Sequence, residues 1–181
     1  MNEQILALKN ALGDCHRTRT SICLEKTSYE VTTSGYFFIM DDRHNEPDEP
    51  VKIVSDAYEY QLTVINNQGH PICLVKTDKC LFTDAHKKCD CILFGNNKFF
   101  LVEISETGKK NAKRKDAVEQ LTTTIDILLN HNIDLSGYEK KAIICFKNTN
   151  TNPTRPSSNS MREVFREKYN ISLEEGEEIE F

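Results

Sequence analysis

The stretch KKCDCILFGNNKFFLVEISE, Lys87 to Glu106, constrains the fold more than any other part of the chain. Two runs rich in apolar and aromatic residues, CDCILF and KFFLVEIS, flank the turn residues Gly95, Asn96 and Asn97, which is the pattern of a β-hairpin. Whether the loop is Asn96-Asn97 or runs from Gly95 to Lys98, antiparallel pairing sets Phe94 opposite Phe99, Ile92 opposite Leu101 and Asp90 opposite Glu103. Strict alternation then puts Lys88, Asp90, Ile92 and Phe94 on one face with Phe99, Leu101, Glu103 and Ser105, and Lys88 is expected across from Ser105. Facing carboxylates would have Cβ atoms about 4.5–5.5 Å apart. At that spacing they repel unless a proton, a cation or free water relieves them, and a divalent cation held by oxygen ligands does so most directly.

The rest of the chain alternates between helical and extended patterns. Ile5, Leu6, Leu8, Ala11 and Leu12 follow helical spacing ahead of Gly13, which predicts a helix over 2–13. The runs SYEVTTSGYFFIM, PVKIV, YEYQLTVI and PICLVK, separated by an acidic Pro-containing loop and by NNQGHP, predict strands of one antiparallel sheet. After the hairpin, NAKRKDAVEQLTTTIDILLNHN carries Val118, Leu121, Ile125, Leu128 and Leu129 on one helical face. KKAIICF then reads as an apolar strand, MREVFREKYN as a short helix and EEIEF as a final strand. One domain over 1–181 accommodates these elements, with residues 1–70 as an amino-terminal helix and β-rich extension and 71–181 as the core. The expected class is α/β or α+β, a mixed central β-sheet flanked by helices.

No apolar run approaches the ~20 residues of a membrane helix, and the first residues lack a basic-then-apolar export signal, so a cytoplasmic protein is expected. Seven Cys in such a chain point to reduced thiols. The net charge of −5 argues against coating nucleic acid by bulk electrostatics but permits a local basic groove. Acid gathers in Asp41 to Glu49 and in Leu173 to Phe181, while five of the seven residues from Lys109 to Lys115 are cationic. Charge runs are ordinarily solvated surface. Cations at a helix entry face the positive end of its dipole, however, and phosphates would be favoured there by both the helix end and the Lys/Arg cluster.

Two acids and a lysine beside a strand end suit metal-assisted phosphodiester cleavage. Asp90 in KKCDCILF, Glu103 in FFLVEIS and Gln120 in the following helix, within strand–turn–strand–helix–strand order, resemble the PD-(D/E)XK nuclease superfamily with its restriction-endonuclease-like fold. The resemblance spans Leu74 to Phe146. It implies a restriction-endonuclease-like core, Asp90 and Glu103 as ligands of Mg²⁺ or Mn²⁺, and cleavage or binding of DNA, less often RNA. The sequence departs from the family where a lysine is expected: Ser105 stands there, and Lys88 is the candidate replacement, ahead of Lys109, Lys110 and Lys113. Cys89 stands where a Pro often precedes the first acid, and Glu3 is the only clear acid on the first helix.

The catalytic set read in this way is Lys88, Asp90, Glu103 and Ser105, with Lys109, Lys110, Lys113, Arg114, Lys115 and Gln120 along a nucleic-acid backbone. A second reading keeps the nuclease-like fold without catalysis, as a binding or accessory subunit of a larger complex, one acting on foreign DNA among them. A rival zinc constellation, His70-x-x-Cys73 and His86-x-x-Cys89 with Cys80 and Cys91, is the weaker pattern. Cys89 and Cys91, flanking Asp90, are expected to pack together beneath the helix as small apolar residues.

Overall fold

The computed structural model describes residues 29–41, 49–55, 61–78, 87–105, 110–146, 155–156 and 160–181. The expected helix over 2–13, Glu3, Cys80, His86 and Lys109 lie outside these residues, as does most of the acidic loop.

Eleven strands and two helices are described. In chain order they are β1 (Tyr29–Thr32), β2 (Tyr36–Met40), β3 (Lys52–Val54), β4 (Leu62–Ile65), β5 (Ile72–Lys76), β6 (Cys91–Gly95), β7 (Lys98–Ser105), α1 (Lys110–Asn130), β8 (Glu139–Phe146), β9 (Arg155–Pro156), α2 (Ser160–Tyr169), β10 (Ser172–Glu175) and β11 (Glu178–Glu180). They form a mixed α+β fold. A seven-stranded sheet runs β1-β5-β6-β7-β8-β10-β9, and a four-stranded sheet runs β11-β4-β2-β3.

The hairpin forms in the expected register, with Phe94 on Phe99, Ile92 on Leu101 and Gly95 on Lys98. Asn96 and Asn97 both take positive φ, 43° and 58°, the conformation that a two-residue turn matching strand twist demands. Gly95 is required for a different reason: a Cβ there would lie 2.5 Å from the Pro71 carbonyl oxygen and 2.8 Å from Ile72 Cδ1. Backbone on the neighbouring strand cannot retreat cheaply, so Gly95→Ala should cost about 1–3 kcal/mol. Urea unfolding should show this as a lower midpoint with unchanged slope.

Beyond the hairpin, β7, β8 and β10 are parallel, joined through α1 and α2, while β1, β5 and β6 are antiparallel to their neighbours. The central strands are buried on both faces, which is why they read as continuous apolar runs. One face packs beneath the helices, where Ala117, Leu121, Ile125 and Leu128 meet Ile92, Phe94, Phe99 and Leu101. Ala117 thus joins the apolar face expected for α1, while Leu129 turns out to solvent. The other face carries Leu74, Leu93, Phe100, Val102 and Ile143 against Phe37, Ile39, Leu62 and Val64 of the smaller sheet.

The strands expected to make one antiparallel sheet are therefore divided. β1 and β5 join the large sheet, whereas β2, β3 and β4 form the small one, with β11 beside β4 in parallel. Phe181 is seated edge-on against Phe100, ring centroids 4.9 Å apart. Cys145 Sγ donates to the Gln61 carbonyl at 2.8 Å, a further tie between the layers. Among the described residues no helix is long and apolar enough to cross a membrane.

Candidate functional site

The amino end of β6 and the carboxyl end of β7 form a corner at one end of the large sheet, midway across its strand order, and the acids and lysine singled out from the sequence are buried there. Lys88 is 6% exposed, Asp90 2%, Glu103 2% and Ser105 7%. Charges so placed are costly unless held by partners, so their burial has to be explained by local contacts.

The segment leading into β6 is pinned from two sides. From α1, Gln120 Nε2 donates to the Lys88 carbonyl at 3.1 Å, and Thr124 Oγ1 accepts from the Cys89 amide at 2.9 Å. From the end of β5, Thr77 Oγ1 donates to the Cys89 carbonyl, and the Thr77 and Asp78 amides converge on the Asp90 carbonyl at 3.1 and 3.3 Å. Asp90 in turn reaches across the ladder, its Oδ2 accepting from the Ile104 amide at 2.6 Å. The carboxylate is thus fixed beside β7, one residue from Glu103.

The register breaks at Asp90, which corrects the geometry expected from strict alternation. Regular pairing ends at Cys91 opposite Val102, and the Asp90 amide also donates to the Val102 carbonyl, at 3.0 Å. Two residues thus oppose one, the signature of a β-bulge, a device that re-aims side chains at strand ends. Cys89 consequently packs into the helix-side core and Cys91 into the opposite core, so the two do not lie together beneath the helix. Asp90 is thereby set against Val102 rather than directly across from Glu103, and the extrapolation that put Lys88 across from Ser105 fails for the same reason. The Lys88 ammonium meets Asp78 instead, Nζ to Oδ1 3.3 Å.

Asp78 is a member of this corner that the sequence reading missed. Its signal lay in the pairing of β5 with β6, where Lys76 opposes Cys91 and Val75 opposes Ile92. Carrying that register two residues further brings Asp78 beside Cys89, but 14 residues separate β5 from β6, so the register could not be obtained from loop length.

The basic run divides by role. Lys113 and Lys115 are exposed at the start of α1, where no acidic residue occupies the first turn. Arg114 is turned inward: its Nε and second terminal nitrogen grip the Glu175 carboxylate at 2.7 and 2.8 Å, and its guanidinium sits 5.6 Å from the centre of the Phe146 ring. The carboxylate raises the Arg114 pKa above its ordinary value. Arg114 therefore ties α1 to β10, and Gln120, also expected along a nucleic-acid strand, is committed to the Lys88 backbone. Arg114→Ala should lower stability by about 1–3 kcal/mol, since a half-buried charged partner is left behind. Arg114→Lys should recover only part of this, because an ammonium cannot form the two-pronged contact. Thermal melts of the three proteins check the order.

Thiol geometry bears on the zinc pattern. Cys73 and Cys89 are buried in the helix-side core, and burial pushes each thiol up to about 12. His70 Nε2 is paired with Gln68 Oε1 at 2.8 Å, and Cys91 faces the other core. Among the described residues no group of three or more His, Cys, Asp and Glu side chains is drawn together as a metal cage.

The corner offers carboxylate oxygens, the donor type that hard divalent cations take. Mg²⁺ is commonly held by only one or two carboxylates plus water and substrate phosphate, so a full protein cage is not a requirement for such an ion. A comparison with family models, curated proteins and solved structures finds no match for this chain.

Proposed function

We propose that the chain is a metal-dependent nuclease-like protein of restriction-endonuclease-like fold, acting on nucleic-acid phosphodiesters, DNA ahead of RNA, in the cytoplasm. The observation that carries this reading is the burial of Lys88, Asp90 and Glu103 in one corner, on a bulge held in place by α1. A corner serving stability alone would be better filled with apolar residues, since replacing buried charges by well-packed hydrophobes is often neutral or stabilising. Asp90 and Glu103 would hold Mg²⁺ or Mn²⁺. When bound, such an ion lowers the pKa of a water and polarises a phosphoryl oxygen.

The chain's own residues would do the rest. Ile104, through its amide, holds the Asp90 carboxylate on station. Lys88 supplies the positive charge that Ser105 cannot, with Asp78 orienting the ammonium. Gln120 and Thr124 act as positioning residues, fixing the Lys88 and Cys89 backbone. Lys113 and Lys115, exposed at the amino end of α1, would meet the phosphate backbone.

The pairing of Lys88 with Asp78 also favours a second reading, a nuclease-like fold that has lost catalysis and serves as an accessory or binding subunit of a larger complex. Incubation with linear, circular and single-stranded DNA and with RNA, in Mg²⁺ or Mn²⁺, separates the two. The nuclease reading expects cleavage by the native chain and none by Asp90→Asn or Glu103→Gln. Cleavage that survives both substitutions would rule the corner out, and native protein inert on every substrate would favour the accessory role.

A further inference from the structure

A second site lies at the other end of the large sheet. A cavity of about 390 Å³ opens where the amino ends of β8 and β10 meet α2, and Tyr138, Glu139, Lys140, Arg162, Arg166 and Ser172 are among its lining residues. β8 runs beside β7 from Glu139 at Lys98 to Phe146 at Ser105, so the cavity and the acid corner are a full strand length apart, about 25 Å. The two sites are therefore separate.

Three cations face one acid in this lining, in a chain whose net charge is −5. Glu139 directs its carboxylate to Lys141 Nζ at 3.7 Å. Asp134, outside the cavity, lies near enough to Lys140 for that ammonium to help lower its carboxyl pKa, after the larger effect of Ser136. Arg162 and Arg166 lie in no ion pair with an acid among the described residues. They stand one helical turn apart on α2, a like-charge spacing that weakens a helix when nothing intervenes. Arg166 is in the last turn, where the helix dipole welcomes a cation, but Arg162 is in the first turn, where it does not. Among the described residues no acid accounts for Arg162 in that turn, and an anion between the two guanidiniums would.

We infer that this cavity binds a small molecule bearing a phosphate monoester, with Arg162, Arg166 and Lys140 on the phosphate. Charge count points to a dianion, since a single carboxylate would be matched by one arginine, and the planar guanidinium forks suit phosphate oxygens. The volume suits a ligand of nucleotide size. Tyr138, held edge-on against Phe94 and Phe99, gives the cavity a fixed aromatic wall for the organic part.

Calorimetric titration of the full chain with 5′-AMP, adenosine, inorganic phosphate and a short oligonucleotide tests the assignment. AMP should bind one per chain, more tightly than phosphate, and adenosine should give no heat. Arg162→Ala and Arg166→Ala should each weaken AMP at least about tenfold, while Glu139→Gln should tighten it. Both arginines are exposed, and unchanged melting curves without ligand would show that the variants are folded. No AMP binding up to about 1 mM would overturn the proposal, as would equal affinity in the arginine variants. So would a response confined to oligonucleotides, which would make the cavity part of a nucleic-acid track.

Discussion

Asp90→Asn and Glu103→Gln are expected to abolish Mg²⁺-dependent cleavage while leaving the fold nearly as stable as before. Loss of a ligand to a Lewis-acidic ion removes several kcal/mol of transition-state stabilisation, which is at least about a hundredfold in rate. The effect on stability should be small because two changes oppose each other. Asparagine can still accept the Ile104 amide that Asp90 Oδ2 now holds at 2.6 Å, though the bond loses its charge assistance, worth about 1 kcal/mol. Against this, a neutral amide is less costly to bury than a carboxylate. Asp90→Ala would be a poorer probe, since it orphans the Ile104 amide and should cost about 1–3 kcal/mol. Single-turnover cleavage together with melting curves would reveal the split. Parallel losses of activity and stability would mean that the acids serve the fold.

Alkaline pH should unfold this protein well before a typical domain of its size, because of its buried thiols. Cys73, Cys89, Cys91 and Cys145 are buried and unbridged. Burial pushes Cys73 and Cys89 up to about 12 from the ordinary 9.0, and pushes Cys91 and Cys145 well above it. A group whose pKa is higher in the fold than in the open chain adds stability that is fully present below the open-chain value. That stability is lost as pH climbs toward the folded value. Above about pH 9 each thiol should therefore subtract about 1.4 kcal/mol per pH unit. Four such thiols acting together would consume a typical margin of about 5–15 kcal/mol between pH 10 and 12. Urea midpoints from pH 7 to 11 should be flat at first and then fall steeply, and Cys145→Ala should reduce the slope by about one thiol's share. A flat profile to pH 11 would contradict the account.

The parts of the fold legible in the sequence were those set by local chemistry. Asn96 and Asn97 fixed the hairpin because the turn type dictates both residue choice and register. α1 was legible from helical spacing, and its core-facing residues differ from the expected set in gaining Ala117 and the partly buried Ile127 and in losing Leu129 to solvent. β10 was missed because SLEE carries no apolar signature. It is a buried strand whose acids are satisfied by charge, Glu174 by Lys141 at 3.2 Å and Glu175 by Arg114. Acidic residues read as surface when their partners are distant in sequence. The division of β1 to β5 between two sheets was illegible for a different reason, since alternation shows which face is buried but not against which layer.

The candidate site was half legible. Turn arithmetic brought Asp90 and Glu103 to neighbouring strand ends, but it assumed an unbroken ladder. The bulge at Asp90 arises from contacts that no local pattern encodes, with Thr77, Gln120 and Thr124 drawing the preceding segment toward β5 and α1. It is this bulge that sends Lys88 to Asp78 and separates Cys89 from Cys91.

On the proposed reading, this corner holds a divalent metal ion through Asp90 and Glu103. Calorimetric titration of Mn²⁺ into the full chain and into Glu103→Gln tests it without requiring the natural substrate or a partner. About one ion per native chain is expected, with an affinity at least about tenfold weaker in the variant, since loss even of an outer-shell partner costs about 10–100-fold. Native protein that takes up no Mn²⁺ at millimolar concentration, or a variant that binds as tightly, would contradict it.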